Sequence, residues 1–285
     1  MASDSRFAVL IDADNVSVKY IKIILDEISK DGIATYKRIY GDWTNPSLIS
    51  WKSTLLDNSI IPIQQYSYTT GKNSTDSAMI IDAMDILYSG RVEGFCLVSS
   101  DSDFTRLAAR LRESGMTVIG MGESKTPNSF IAACNKFKYL DILSAADEEE
   151  PEEAAAPKAE PVKKAAQPKK AAPKAAKKPK EEPKAEKEKP AETKKQQEKA
   201  IEEPRTSLRT IRRSLRTIVR ENSDEDNWMM VSQVGNLLDK RYPDFDVRNF
   251  GFSKLTPFLE SLDLFEIKDL KKDGNTYAQK YVRLK

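Results

Sequence analysis

A charged stretch in the middle of the chain decides how the rest can fold. Residues 147–204 hold 15 lysines, 15 acidic residues and nine of the 14 prolines of the chain, but no aromatic residue. Such a stretch cannot bury enough apolar surface to offset the entropy lost on ordering, so we expect a disordered linker there. The sequence therefore predicts two folded domains, residues 1–146 and residues 205–285, on either side of this linker.

The net charge of +2 conceals an uneven distribution. The formal charge is −2 for residues 1–146, zero for the linker and +4 for residues 205–285. A basic excess of this kind favours a polyanionic partner such as nucleic acid for the C-terminal domain.

The absence of histidine, together with only two cysteines, excludes several classes of enzyme. A Ser-His-Asp or Cys-His nucleophilic site cannot be built, and two cysteines cannot complete the usual Cys/His zinc site. Any hydrolysis must therefore depend on carboxylates, hydroxyls, amides or lysines. The first residues lack the pattern of a signal peptide and no apolar run reaches transmembrane length, so we expect a cytoplasmic protein without a membrane segment.

The N-terminal domain alternates strand patterns with helical patterns. Strand patterns cover residues 6–12, 33–40, 60–66, 95–98 and 117–121, and helical patterns cover residues 16–30, 46–56, 76–88, 104–112 and 129–135. This alternation predicts an α/β fold, a mainly parallel sheet with helices on both faces. Ligand sites in such sheets lie beyond the carboxyl ends of the strands.

Acidic residues follow two of these strands and open one helix. Asp12 and Asp14 follow the first strand, Asp101 and Asp103 follow the fourth, and Asp76 begins a helix. Carboxylates that converge without a basic partner repel one another, and a bound divalent cation removes that penalty. Oxygen-only ligands suit Mg²⁺ or Mn²⁺, so the pattern predicts a hard-metal site. For each single residue the alternative is a helix N-cap, a role that suits Asp103.

Four segments of the chain resemble the NYN domains, a branch of the PIN-like nucleases. They are Ile11–Asn15, Arg38–Trp43, Lys72 to Asp82 and Ser99–Phe104, within a resemblance that spans roughly residues 6–143. Ser100 departs from the family pattern, which commonly has glycine there. The resemblance implies a PIN-like fold and metal-dependent ribonuclease activity with one or two Mg²⁺ or Mn²⁺ ions.

The resemblance also implies roles for individual residues. The catalytic and metal-binding positions are Asp12, Asp76, Asp101 and Asp103, and Asn15 would orient Asp12 or a water molecule. Asp76 and Asp82 are six residues apart on one helix and cannot both point into one site, and Asp76 is preferred because it lies at the helix entry.

Contacts with the nucleic acid are expected around this site. Lys72 or Arg106 would meet a substrate phosphate, and Trp43 and Tyr68 would stack on bases. The alternatives are solvated surface charges and ordinary, partly buried aromatic side chains.

The C-terminal domain shows three helical patterns followed by a hairpin. Helical patterns cover residues 207–220, 229–241 and 254–262, and strand patterns cover residues 264–270 and 276–284 around an Asp-Gly turn. We therefore expect a small, winged-helix-like α+β domain. Residues 231–262, with Gly251-Phe252, resemble the OST-HTH (LOTUS) domains, which are associated with RNA binding.

Basic residues of this domain are candidates for contacts with phosphate. The candidate positions are Lys240, Arg241, Arg248, Lys254, Lys271 and Lys272. In addition, a seven-residue near-repeat in the first helix places Arg209, Arg213, Arg216 and Arg220 on one face and an apolar stripe on another. A winged helix that binds protein, or a homo-oligomer, remains the alternative to RNA binding.

Together these features predict a metal-dependent ribonuclease with a tethered RNA-binding domain, acting in RNA processing or turnover. One alternative is a catalytically silent RNA-binding regulator that keeps the fold. Another is a haloacid-dehalogenase-like phosphatase, because Asp12-Ala13-Asp14 also resembles the opening motif of that family, in which the first Asp is the nucleophile. The phosphatase hypothesis leaves Asp76 without a role.

Overall fold

A computed structural model describes residues 5–66, 74–148, 206–270 and 279–285. The expected linker lies outside the described residues apart from its first two. Four positions with expected roles in nucleic-acid binding also lie outside them, namely Tyr68, Lys72, Lys271 and Lys272.

The N-terminal domain is built on a parallel six-stranded sheet. Its strands are β1 (Arg6–Asp12), β2 (Ile33–Gly41), β3 (Ile61–Gln64), β4 (Gly94–Val98), β5 (Thr117–Gly122) and β6 (Lys136–Tyr139). Their order across the sheet is β3-β2-β1-β4-β5-β6, and every neighbouring pair is parallel. The expected α/β architecture is therefore confirmed.

Helices cover both faces of this sheet. They are α1 (Ile21–Asp31), α2 (Trp51–Asp57), α3 (Ser74–Ser89), α4 (Thr105–Glu113), α5 (Asn128–Ala133) and α6 (Leu140–Glu148). Val9 and Ile11 of β1 pack in the same apolar cluster as α1, whereas Ala8 and Leu10 pack with α3 and α4 on the other face. Because β1 is buried on both faces, its sequence is a continuous apolar run rather than an alternation.

Two elements at the end of the N-terminal domain were not anticipated. The sequence patterns ended with a helix near residues 129–135, but the chain continues into β6 and α6. Strand β6 alternates Lys136 and Lys138 with the buried Phe137 and Tyr139, so it offers no apolar run. Both lysines bind carboxylates of α1, which is how this edge strand tolerates them.

The C-terminal domain is a small α+β unit with an antiparallel sheet. Its elements are α7 (Leu208–Asn222), β7 (Met229–Met230), α8 (Val231–Arg241), α9 (Leu255–Ser261), β8 (Phe265–Leu270) and β9 (Gln279–Leu284). The strand order is β7-β9-β8, and the three helices pack around a core that includes Ile211, Val234 and Phe258. The winged-helix-like expectation is confirmed, with one difference: residues 229–230 pair with β9 instead of starting the second helix.

The C-terminal domain packs directly against α1 and β6. The two guanidinium amino groups of Arg248 donate to the two carboxylate oxygens of Glu27, at 2.6 and 2.9 Å. Lys138 of β6 contacts the same carboxylate at 2.7 Å, and the Glu27 side chain is only 3% exposed. The backbone N–H of Phe137 donates to the carbonyl of Pro243 at 2.7 Å. We had expected a domain connected by the linker alone, and the structure adds this direct contact.

This contact gives Arg248 and Glu27 a structural task. Burial alone would raise the pKa of Glu27, but hydrogen bonds from Arg248, Lys138 and Lys30 outweigh it and hold that pKa well below its ordinary value. Arg248 also binds Asp246 at 2.6 Å. The guanidinium that we expected to meet a phosphate is therefore occupied by two carboxylates of the protein.

We expect Arg248→Ala to loosen the contact between the two domains. The substitution removes a charged partner from a buried carboxylate, which costs about 1–3 kcal/mol. Each kcal/mol of lost stability lowers the thermal unfolding midpoint of a domain of this length by roughly 4–8 °C. Differential scanning calorimetry should therefore show the C-terminal domain unfolding earlier, while the exposed Arg241→Ala leaves the trace unchanged. Identical traces for the two variants would show that the ion pair does not hold the domains together.

Candidate active site

The carboxyl edge of the sheet brings two acidic segments together. Strand β1 ends at Asp12 and strand β4 ends at Val98, and the two strands are parallel neighbours with Ile11 opposite Val98. The segments that follow, residues 12–15 and 99–103, therefore leave the sheet side by side. This is the position at which open parallel sheets bind ligands.

Three carboxylates converge at this edge. Asp76, Asp101 and Asp103 each offer an oxygen, and these oxygens lie within 4.8 Å of one another. Asp76 lies in the first turn of α3, and Asp103 lies in the short 3₁₀ turn Ser102–Phe104 before α4. Three of the four acids that the sequence singled out are thus within reach of one ion.

Asp101 also has the structural role that we weighed as the alternative. Its carboxylate accepts a hydrogen bond from the backbone N–H of Asp103 at 2.9 Å and caps the 3₁₀ turn. We had assigned the capping role to Asp103, so the cap is one acid earlier than expected. The Asp101 carboxylate thus caps the turn and also belongs to the acidic group.

Asp12, the fourth predicted acid, is not part of this group of three. Its side chain is fully buried and accepts hydrogen bonds from the Asn15 amide at 2.7 Å, the Ser99 hydroxyl at 2.8 Å and the Asp14 backbone N–H at 3.0 Å. Asn15 therefore contacts Asp12, as its expected orienting role requires. Burial raises the pKa of Asp12, and the bonds from Asn15 and Ser99 act against that rise.

Burial and electrostatic repulsion both act on Asp76, whose side chain is half-buried. Burial and then the charges of Asp12, Asp101, Asp103 and Asp14 raise the pKa of Asp76 to about 6. Bringing these carboxylates together therefore costs the folded protein free energy, which a cation at the same place would recover. An all-oxygen donor set of this kind matches the preference of Mg²⁺ and Mn²⁺.

The backbone around the site is tightly packed. A Cβ on Gly122, at the end of β5, would lie 2.7 Å from the Ser99 carbonyl oxygen, so only glycine allows this approach. Ser100, at the position where the family commonly has glycine, accepts a hydrogen bond from the backbone N–H of Glu123 at 2.9 Å. Ser100 thus links the segments that follow β4 and β5 by a hydrogen bond.

Asp82 has a separate environment on α3. Its carboxylate binds the Arg38 guanidinium and accepts a hydrogen bond from the Tyr40 hydroxyl. The preference for Asp76 over Asp82 agrees with this placement, because the acidic group contains Asp76 and Asp82 is paired elsewhere.

The expected nucleic-acid contacts are distributed over several surfaces. Trp43 is half-buried, and its indole N–H donates to the Ile63 carbonyl at 3.0 Å. The exposed basic candidates are Arg106 on α4, Lys240 and Arg241 at the end of α8, and Lys254 before α9. Their roles stay predictions, since exposure alone does not show a contact.

Two parts of the chain match the models of known domain families. The model of the NYN domain matches residues 6–141, and the model of the OST-HTH/LOTUS domain matches residues 206–276. A crystal structure of a protein of unknown function from Vibrio parahaemolyticus is similar, with 19% sequence identity and a TM-score of 0.42. That similarity covers 50% of this chain and 97% of the other. A search of curated proteins found no match.

Helices of membrane-crossing length and apolarity are absent from the part of the chain that the structure describes. The two family matches coincide with the two folded units and have the order that the motifs indicated. They support a nuclease that carries an RNA-binding domain. Residues 6–141 thus form an NYN domain, and residues 206–276 belong to an OST-HTH/LOTUS domain.

Proposed function

We propose that this protein is a metal-dependent ribonuclease whose active site is the acidic group at the carboxyl edge of the sheet. The observation that carries the proposal is the convergence of Asp76, Asp101 and Asp103 within 4.8 Å, inside an NYN domain. Repulsion between these carboxylates destabilises the folded protein, and a bound cation would remove that repulsion. RNA processing or turnover is the corresponding cellular role.

The three converging carboxylates would hold a Mg²⁺ or Mn²⁺ ion. The chemistry that such an ion supplies when bound is neutralisation of charge at a phosphodiester and activation of water near neutral pH. This requires no histidine, in agreement with the composition of the chain.

Neighbouring residues position this group. Asp101 orders the turn that carries Asp103 by capping it, so the two carboxylates are fixed relative to each other. Asn15 and Ser99 hold the Asp12 carboxylate by hydrogen bonds, and the charge of Asp12 adds to the negative potential at Asp76. Asp12 stays a predicted fourth ligand. Arg106, exposed on α4 just after Asp103, is the proposed contact for substrate phosphate.

RNA is the proposed substrate because of the second domain. OST-HTH/LOTUS domains bind RNA, and this one carries the basic excess of the chain. The contact of Arg248 with Glu27 would keep an RNA on that domain near the nuclease domain. Proximity of this kind raises the effective concentration of substrate without further contacts at the active site.

The two alternative functions gain no support from the geometry. A phosphatase nucleophile at Asp12 would need open approach, yet this side chain is fully buried and both of its oxygens accept hydrogen bonds. A silent RNA-binding regulator would have no use for the converging acids. The nuclease proposal gives the converging acids a role and does not depend on open approach to Asp12, because Asp76, Asp101 and Asp103 form the group without it.

We expect Asp101→Asn to abolish most RNA cleavage while preserving the fold. Asparagine caps helical turns as well as aspartate, so the turn before α4 should persist. Loss of one preorganised charged group at such a site lowers turnover on the order of 10²- to 10³-fold. Cleavage of fluorescent single-stranded and structured RNA with Mg²⁺ or Mn²⁺ measures this effect.

The matched control is Asp85→Asn, which removes an exposed carboxylate from α3 outside the acidic group. It should cut RNA as the wild type does. Equal cutting by the Asp101 variant would contradict the proposed site. Wild-type protein that binds RNA but cuts none with either ion would favour the silent regulator.

We also expect the stability of the metal-free protein to depend on Asp76 in a pH-dependent way. The folded-state pKa is raised from 3.8 to about 6, so ionised Asp76 destabilises the folded protein. The destabilisation is absent at pH values below 3.8, where Asp76 is protonated in both states, and complete at pH values above about 6. Relative to wild type, Asp76→Asn should therefore gain thermal stability as pH rises from about 4 to about 7.

Thermal unfolding in the presence of a chelator measures this difference across pH. The Asp85→Asn difference should stay flat over the same range. An Asp76→Asn difference that is equally flat would show that the carboxylates are not close enough to repel one another.

A further inference from the structure

Helix α7 presents a row of arginines that the site described above does not use. Its apolar face, including Ile211, Leu215 and Ile218, is buried in the core of the C-terminal domain. The arginines of the opposite face are all exposed, and they are Arg209, Arg213, Arg216 and Arg220.

The spacing of these arginines forms a continuous row. Positions four, seven and eleven residues after Arg209 lie near one side of a helix, and the row covers about 16 Å at 1.5 Å per residue. Arg209, Arg213 and Arg216 line an open groove of about 540 Å³ together with Leu208 and Arg212. The row therefore offers several guanidinium groups to one extended ligand.

The row lacks the carboxylate partners that other arginines have. Arg6, Arg38 and Arg283 each form an ion pair with an acidic side chain. Across residues 5–66, 74–148, 206–270 and 279–285, none of the four arginines of the row has a carboxylate oxygen within 4.0 Å. Like charges four residues apart weakly destabilise a helix, and an anion bound along the row would relieve that repulsion.

The choice of arginine over lysine points to the kind of anion. Residues 206–222 contain five arginines and no lysine, whereas the linker before them contains 15 lysines and no arginine. Lysine or arginine would serve equally well if the exposed face of α7 only had to be solvated. Arginine differs in its planar fork of donors, which binds two phosphate oxygens at once.

We propose that the exposed face of α7 binds the phosphodiester backbone of RNA without reading its sequence. The choice of RNA as the ligand rests on the proposed function. The anion-binding surface is inferred independently, from the exposed arginines of α7. It is a different surface from the end of α8 and the start of α9, where Lys240, Arg241 and Lys254 were expected to contact phosphate.

The test is RNA binding by the full chain in a chelator, so that no cleavage occurs. Fluorescence anisotropy with a labelled single-stranded RNA gives the dissociation constant at several salt concentrations. Replacing all four arginines of the row by glutamine should weaken binding at least about tenfold at 0.1 M salt, because each lost phosphate contact removes one released counterion. The slope of log Kd against log salt should fall by about 3, at roughly 0.7 per contact.

The matched control removes the same charge from the other domain. Lys22, Lys52, Arg91 and Arg110 are exposed there, and their replacement by glutamine should leave both affinity and slope near wild type. If the fourfold α7 variant does not fold, as judged by circular dichroism, Arg213→Gln and Arg216→Gln alone should each lower the slope by about 0.7.

The outcomes separate this proposal from the nuclease proposal. Wild-type RNA binding that is lost in the α7 variant supports the row even if no RNA is ever cut. Equal binding by the α7 and control variants overturns it. Binding of polyglutamate, or of vesicles containing phosphatidylserine, as tight as that of RNA would also overturn it, because the row would then serve acidic protein or membrane.

Discussion

The carboxyl edge that β1 and β4 share is the constraint on which the rest of the site depends. These two central strands are parallel neighbours, so the segments after them must leave the sheet at the same place. Each segment carries acids, and α3 brings a further one in its first turn. The sheet thereby imposes a concentration of negative charge that no local preference of the chain would produce.

The close approach of these carboxylates lowers the stability of the folded protein. Burial, and then repulsion by the neighbouring carboxylates, raises the pKa of Asp76 to about 6. Stability elsewhere comes from apolar packing on both faces of β1 and from paired charges such as Glu27 with Arg248. The acidic excess lies in the domain with the proposed metal site, and the basic excess lies in the domain with the proposed RNA-binding surface.

The sequence was most informative where the pattern is local. The buried run of β1, the acids after β1 and β4 and the hairpin strands β8 and β9 were predicted because apolar periodicity and strand ends are visible in short segments. Helical geometry indicated that Asp76 and Asp82 cannot both point into one site, and the position of Asp76 at the helix entry decided between them. These predictions needed no knowledge of distant contacts.

Contacts between distant residues were the features that the sequence could not show. Arg248 and Glu27 are 221 residues apart, and Lys138 reaches the same carboxylate from 111 residues away. On sequence alone Arg248 is one more exposed cation, and β6 is obscured by its two lysines. Only the tertiary fold reveals that these charges hold the two domains together.

The central claim is that Asp76, Asp101 and Asp103 bind one divalent ion. Crystals of the protein grown with Mn²⁺ and measured at the manganese absorption edge test it most directly. We expect an anomalous peak between these three carboxylates, with oxygen ligands at about 2.0–2.2 Å, as is typical of small hard cations. Crystals in which Mn²⁺ binds elsewhere while this position stays without a peak would contradict the claim.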